Sequence, residues 1–237
     1  RPQGFADRAL MEPEKVGSPQ RHRQGIGTAE HLARAPVAGR RKRGVYVPLL
    51  TVLEYSHAVV AEVLLPGEVA VDATVGNGHD TLFLAQKVGP QGKVYGFDIQ
   101  ERALAAAERR LRDAGVHRQV QLFLSGHERL KEVLPREEHG RVKAVMFNLG
   151  YLPGGDKGLV TQPGTTIQAL TAALDVLAPG GRISVVAYPG HPTGQVETEE
   201  LLTFSRRLDQ RLCHVLCYQF LNQVNSPPLL LVFEKRV

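Results

Sequence analysis

Two acidic residues and a glycine turn are spaced so that they could bind a nucleoside. The run from Asp72 to Thr81 reads DATVGNGHDT, and Asp98 follows its second glycine by 20 residues. Glycines let the backbone approach a ligand closely, and amides at a helix start favour a negative group. A carboxylate such as Asp98 can accept both hydroxyls of a ribose. These residues predict an adenosyl-cofactor site, and the alternative is a tight turn that binds nothing.

The glycine spacing favours S-adenosylmethionine (SAM) over NAD as the cofactor. NAD enzymes carry Gly-x-Gly-x-x-Gly, whereas here Gly76 and Gly78 are followed by Thr81 at the third glycine position. Asp72 also precedes the glycines. The methionine carboxylate of SAM would then meet the helix start, and Ile99 would offer adenine an apolar wall. An NAD-linked oxidoreductase on a similar sheet is the rival interpretation.

Asn148 is the candidate residue at the reacting centre. It ends a fourth predicted strand in the run Asn148-Leu149-Gly150-Tyr151. Many amine methyltransferases carry Asp/Asn/Ser-Pro-Pro-Tyr/Phe there, so this chain keeps the first and last residues and lacks both prolines. The Asn148 oxygen and nearby carbonyls can accept hydrogen bonds from an amine and aim its lone pair. Tyr151 can cover a flat base or a sulfonium. The alternative for Asn148 is a turn cap.

Loops after other strands carry further polar candidates. Either Ser125 or His127 bonds the adenine, or Ser125 caps a helix. His191, after the fifth strand, is a base, a phosphate ligand or merely a polar loop residue. Between the last two strands, four residues either line the substrate entrance or form a turn: Asn222, Asn225, Pro227 and Pro228.

Strands and helices alternate along the chain and must position these residues. Apolar runs predict strands at 69–73, 93–98, 119–124, 142–148, 182–188, 214–220 and 229–234. Helices are predicted at 53–65, 79–88, 101–114, 165–177 and 197–208. This alternation predicts a parallel sheet, and the last two strands are too close for a helical crossover, so they should pair antiparallel. The expected fold is α/β and Rossmann-like: a class I methyltransferase sheet of seven strands, mostly parallel, with an antiparallel terminal hairpin.

The formal charge of +5 on 237 residues is unevenly spread. Residues 1–44 are rich in Pro, Gly, Arg and Gln and are expected to be a disordered basic tail. This tail is either a solvated linker or a segment that binds phosphates through its charge. Residues 45–237 are expected to form the methyltransferase domain. The sequence predicts no metal site and no membrane span, so a cytoplasmic protein is expected. Cys213 and Cys217 are expected to pack in the core.

Together these segments resemble the YtqB/MnmM-type methyltransferases, a family long labelled rRNA methylases. The Asn148–Asp156 run is the most specific part of a resemblance that spans roughly residues 50–237. Members methylate the aminomethyl group on the wobble (2-thio)uridine of tRNA. The segments that carry the resemblance are Asp72–Thr81, Tyr95–Gln100, Gly126–Glu128, Asn148–Lys157, Tyr188–His191 and the Pro227-Pro228 region.

The resemblance implies a SAM-dependent tRNA N-methyltransferase that contacts the anticodon region of tRNA. It is also compatible with a homodimeric enzyme. Asn148 would align the amine, and Asp156 or His191 would accept its proton. Methylation of rRNA or of a small amine is the alternative reaction, and a noncatalytic RNA-binding module is the rival outside enzymes. The implied substrate-binding residues are Tyr151, Leu152, Lys157, Tyr188 and His191. The implied cofactor-binding residues are Asp72, Thr74, Gly76, Asn77, Gly78, Asp80, Thr81, Asp98, Ile99, Gln100, Ser125, His127 and Asn148.

Overall fold

A computed structural model of the chain describes residues 48–150 and 161–237. The predicted tail, residues 1–44, lies outside the described residues. The same holds for four predicted site residues: Tyr151, Leu152, Asp156 and Lys157.

Helices and strands alternate through the described residues as the apolar pattern predicts. The helices are α1 (Val52–Ala61), α2 (His79–Val88), α3 (Glu101–Asp113), α4 (Leu130–Val133), α5 (Pro163–Val176) and α6 (Pro192–Arg207). The strands are β1 (Val69–Asp72), β2 (Lys93–Asp98), β3 (Val120–Leu124), β4 (Val142–Asn148), β5 (Leu177–Ala187), β6 (Cys213–Tyr218) and β7 (Leu229–Lys235).

The strands form one sheet in the order β3-β2-β1-β4-β5-β7-β6. The first five strands pair in parallel. β7 pairs antiparallel with β5 and with β6. The predicted fold class is therefore confirmed. Chain order reverses beside β1, between β2 and β4, and ligands of open α/β sheets bind outside the carboxyl ends of the strands at such a point.

The core lies on both faces of the sheet. Val69 and Val71 of β1 belong to the cluster on one face, and Ala70 between them belongs to the cluster on the other. This alternation follows from the two-residue period of a strand. Phe97 and Phe147 are almost fully buried in the first cluster, and burying such a side chain stabilises the fold by about 1.5–3 kcal/mol.

Helix α1 is capped at its start and joined to the sheet at its middle. Thr51 and Glu54 form a capping box, in which each side chain accepts the backbone N–H of the other residue. Further along, the buried hydroxyls of Ser56 and Ser184 lie 2.6 Å apart and join α1 to β5. The side chain that follows Ser56 is thereby held close to the carboxyl edge of the sheet.

The largest differences from the predicted element boundaries are at the starts of β5 and α6. β5 begins at Leu177 instead of residue 182, because Leu177 already pairs with Val142 of β4 and the Pro179-Gly180-Gly181 segment lies at a register shift before pairing resumes at Arg182. α6 begins at Pro192 instead of residue 197, because His191 caps it and proline is favourable in a first turn.

The cysteine prediction was wrong for one of the two thiols. Cys213 is buried, whereas Cys217 is exposed. Both residues lie on β6, an edge strand of the sheet, so side chains on the same face of that strand differ in how well they are covered. Among the described helices, none has both the length and the apolar character that a membrane span needs.

Candidate active site

The predicted polar residues meet at the carboxyl ends of the parallel strands. Asp72 ends β1, Asp98 ends β2 and Asn148 ends β4. Tyr188 follows the last residue of β5. Because these strands are parallel, their carboxyl ends lie side by side, and hydrogen bonds between the following loops close the group into one site.

Asp72 anchors the turn after β1 from beneath. It is fully buried and accepts hydrogen bonds from the Thr74 N–H at 3.1 Å and the Thr81 hydroxyl at 2.6 Å. Burial, followed by the nearby charge of Asp80, raises the pKa of Asp72 to about 7, although the two hydrogen bonds oppose the shift. Asp72 therefore shapes the turn and can hold a proton near neutral pH.

The turn itself requires glycine. Gly76 and Gly78 have φ of 50° and 76°, values that residues with a side chain rarely adopt. A Cβ on Gly78 would also lie 2.7 Å from the Cα of Ala107, so the missing side chain lets α3 approach the start of α2. The sequence pattern predicts a close approach to a ligand at these glycines, whereas the close neighbour of Gly78 in the structure is α3.

Asp98 holds the second part of the site. Its two carboxylate oxygens accept the N–H groups of Gly76 and Gln100, each at 2.9 Å. Each oxygen of a carboxylate can accept a second hydrogen bond, which fits the two hydroxyls of a ribose. Ile99 beside it is 59% exposed, as an apolar wall for adenine would be. The residues at this edge therefore fit SAM.

The loop after β3 contains two candidate residues, Ser125 and His127, and the structure gives them different contacts. The Ser125 hydroxyl donates to the Gly126 carbonyl at 3.4 Å and caps no helix, so the capping alternative is not what the structure contains. His127 is buried, its ring packs edge-on to Phe147, and it bonds to the backbone of Ala73. Burial lowers the pKa of His127, which favours a neutral ring that supports β1 over a contact with adenine.

Asn148 bonds to the cofactor turn through both its backbone and its side chain. Its N–H donates to Thr74 Oγ1 at 2.7 Å, and its side-chain amide donates to Asp80 Oδ2 at 3.3 Å. The side chain thus reaches across to α2 and does not cap its own turn. With the amide hydrogen directed at Asp80, the Asn148 oxygen is the acceptor that this side chain offers a substrate.

Sequence reasoning missed His57. It lies on α1, and its Nε2 is 2.6 Å from Asp80 Oδ1. Asp80 therefore contacts both His57 and Asn148. No motif or spacing relates α1 to α2, so only the folded structure reveals this contact.

The residues after β5 are held by the start of α6. His191 Nδ1 accepts the Gly194 N–H at 3.0 Å and caps the helix. In this neutral tautomer the other ring nitrogen carries the hydrogen, so the geometry speaks against His191 as a proton acceptor. Burial, followed by the charge of Asp80, raises the pKa of Tyr188, so its phenol stays neutral.

A buried carboxylate holds the residues on either side of the 151–160 segment. The Thr161 N–H donates to the Gly150 carbonyl at 3.0 Å, and the Gly150 N–H donates to the Thr161 hydroxyl at 3.0 Å. That hydroxyl donates to Glu197 at 2.7 Å, and Thr166 donates to the same carboxylate at 2.6 Å. Sequence reasoning missed Glu197 because a single acid within a helix gives no signal.

The connection between β6 and β7 lies beside the loop after β5. Asn225 and Ser226 both have positive φ, and a Cβ on Gly190 would lie 3.7 Å from the Ser226 carbonyl oxygen. The sequence left two alternatives for these residues, lining the substrate entrance or forming a turn. The structure shows a turn, and it lies next to the site. Across the described ranges, His, Cys, Asp and Glu form no group of three or more that could hold a metal ion.

Known proteins share this sequence and fold. Residues 94–234 match the family described as "Putative rRNA methylase". The chain is 39% identical over 190 residues, 77% of its length and 69% of the relative's, to the Arabidopsis thaliana protein named "tRNA (mnm(5)s(2)U34)-methyltransferase, chloroplastic".

Two solved structures are also similar. One is described as a "putative rRNA-methylase" from Clostridium thermocellum, with 43% identity and a TM-score of 0.77 over 80% of this chain and 100% of that one. The other is described as "a putative methyltransferase" from Streptococcus mutans in complex with SAH, with 38% identity and a TM-score of 0.71 over 79% of this chain and 99% of that one. The chain therefore belongs to the family described as "Putative rRNA methylase" and is a SAM-dependent methyltransferase.

Proposed function

We propose that the enzyme methylates the aminomethyl group on the wobble (2-thio)uridine of tRNA, giving methylaminomethyl. One observation carries this proposal: Asn148, the candidate acceptor for an amine, bonds directly to Thr74 and Asp80 of the cofactor turn. The name of the Arabidopsis relative supports the same substrate.

The residues proposed to hold SAM follow from the contacts at the sheet edge. Asp98 would accept the ribose hydroxyls, Ile99 would cover the adenine, and Gly76 and Gly78 would admit the methionine part. Bound SAM supplies an electrophilic methyl group on a sulfonium. Thr74, Asn77, Asp80, Thr81, Gln100 and Ser125 complete the proposed cofactor site, with Asp72 and His127 beneath it.

The protein must present the substrate amine in its neutral form. Such an amine has an unperturbed pKa near that of lysine, about 10, and removal from water lowers the pKa of an amine. The Asn148 oxygen would accept one N–H and aim the nitrogen lone pair at the methyl carbon. Tyr188, close to Asp80, is placed to cover the base.

A methyl-transfer assay on purified tRNA tests the substrate. We expect the enzyme and SAM to convert aminomethyl to methylaminomethyl nucleosides, read by nucleoside mass spectrometry, and to leave unmodified tRNA unchanged. tRNA from cells that lack the enzyme should accumulate the aminomethyl nucleoside. Unchanged nucleosides would refute the substrate, and methylation of rRNA in a parallel reaction would favour the alternative suggested by the family description.

The proposal extends to the partner and to the location. We propose that the enzyme contacts the anticodon region, forms a homodimer and works in the cytoplasm. Footprinting on tRNA, sedimentation in solution and imaging of a tagged chain test these three statements. The Arabidopsis relative is named as chloroplastic. If imaging places the tagged chain in an organelle, the cytoplasmic assignment is wrong.

A further inference from the structure

His57 lies on α1, outside every sequence motif, yet its ring is fixed from two sides. Nε2 lies 2.6 Å from Asp80 Oδ1. The ring also stacks on Phe83, with centroids 4.0 Å apart and planes inclined by 9°. A hydrogen bond and a parallel stack together fix both the direction and the plane of the imidazole.

The bond to Asp80 selects one tautomer of the ring. An ionised carboxylate only accepts hydrogen bonds, so Nε2 carries the hydrogen and Nδ1 keeps its lone pair. The same logic orients the histidine of a Ser-His-Asp triad, where the acid holds one nitrogen and the other acts as the base. The His57 side chain is 36% exposed, so a proton taken up there can leave to solvent.

The ring is linked through Asp80 to the proposed amine acceptor. The two oxygens of Asp80 contact His57 Nε2 at 2.6 Å and Asn148 Nδ2 at 3.3 Å. One carboxylate therefore joins the histidine to the asparagine that would align the substrate. His191, by contrast, already uses Nδ1 as the cap of α6.

We propose that His57 accepts the proton that the substrate amine loses, and that Asp80 positions it; this rests on the proposed function. When the nitrogen bonds to the methyl carbon, the carbon–sulfur bond breaks and its electron pair stays on sulfur. The nitrogen loses one proton, which Nδ1 of His57 takes up to become an imidazolium beside the Asp80 carboxylate. Water then removes the proton and restores the neutral ring.

Charged groups on the neighbouring elements bear on this histidine. Asp80 contacts it directly, and the charge of Asp80 also acts on the buried Asp72. Lys87 lies 6.0 Å from the centre of the aromatic ring on which His57 stacks. Burial, followed by the charge of Asp80, raises the pKa of the Tyr188 phenol, which stays neutral. Asp80 is therefore the charged group in direct contact with the ring, on the side of Nε2.

Replacement of the ring by an amide tests the role. His57→Gln keeps an N–H donor for Asp80 but has no base, so we expect kcat at neutral pH to fall about 100-fold or more, with SAM affinity and the KM for aminomethyl tRNA little changed. The loss should shrink at alkaline pH, where hydroxide removes the proton. The matched control is His214→Gln, a change at an exposed histidine on β6, and it should turn over at the wild-type rate.

A rate equal to wild type, or a loss of the same size at neutral and alkaline pH, would overturn the proposal. An independent readout is nitrogen-15 NMR of the imidazole in the wild-type chain without cofactor. We expect hydrogen on Nε2 and a lone pair on Nδ1, and the opposite tautomer would refute the assignment even if the variant failed to fold. If wild type itself left aminomethyl tRNA unmethylated, the proposed function would fail, whereas the tautomer result would stand by itself.

Discussion

Thr74 Oγ1 accepts the backbone N–H of Asn148 at 2.7 Å, so the turn after β1 is bonded directly to the end of β4. The same turn carries the glycines that the cofactor would approach. One side chain thus sets the distance between the proposed methyl donor and the residue proposed to align its acceptor.

Removal of this hydroxyl should affect turnover more than cofactor affinity. Thr74→Val keeps the shape of the side chain but leaves the Asn148 N–H without its acceptor, at a cost of about 1–3 kcal/mol. We expect most of this cost to appear as a lower kcat in the methyl-transfer assay. Thr74→Ser, which keeps the hydroxyl, is the control, and equal kcat values for the two variants would contradict the positioning role.

Asp98→Ala should weaken SAM binding. Hydrogen bonds to a charged group contribute about 1.5–3 kcal/mol, and the variant also frees the Gly76 N–H that Asp98 accepts. Titration calorimetry with SAM should show a drop of roughly ten- to a hundredfold or more. Asp113→Ala, at the exposed end of α3, should bind normally. Unchanged affinity of Asp98→Ala would remove Asp98 from the cofactor site.

Two glycines with the same backbone twist should differ in their tolerance of alanine. Gly78 and Gly115 have φ of 76° and 71°, so each replacement costs about 1–2 kcal/mol for the left-handed conformation. Only at Gly78 does the new Cβ meet Ala107, at 2.7 Å, while the space around Gly115 is open. Urea unfolding should therefore show an extra loss of about 1–3 kcal/mol for Gly78→Ala. Equal losses would show that α3 moves aside freely.

Asp72 should make the protein less stable as the pH rises. Burial, followed by the charge of Asp80, raises its pKa to about 7 in the folded state, whereas an unfolded aspartate titrates near 3.9. Between about pH 4 and 7 the folded state binds more protons than the unfolded one, so this contribution to the free energy of unfolding falls with pH. It stays low above that range.

The variant Asp72→Asn isolates this effect. An amide can still accept from Thr74 and hydrogen-bond to Thr81, but it does not ionise. Its free energy of unfolding relative to wild type should rise steadily with pH and level off above neutrality. A difference that stays constant from acid to neutral pH would contradict the assignment to Asp72.

The sequence predicted the strand ends better than the contacts among them. Asp98 and Asn148 close buried apolar runs, and the structure ends β2 and β4 at those residues. The Pro179–Gly181 segment misled the prediction, since its residues are typical of a helix stop. In the structure they lie at a register irregularity, between Leu177 and Arg182, which both pair with β4.

The contacts of Asp80 show why the site could be predicted only in part. Its place after the glycine turn is visible in the sequence, but its partner His57 precedes it by 23 residues on another helix. Which faces of α1 and α2 meet depends on how both pack on the sheet. Local periodicity carries no such information. For the same reason the contacts of Glu197 could not be predicted from the sequence.

The insertion of β7 between β5 and β6 constrains the order in which the sheet can assemble. β6 precedes β7 along the chain, yet among the described strands it pairs with β7 alone. During synthesis β6 can therefore join the sheet only once β7 is available, and β7 must also pair with β5, which lies further back in the chain. Such delayed, non-local pairing is slow, which makes docking of the β6–β7 hairpin the natural late step of folding.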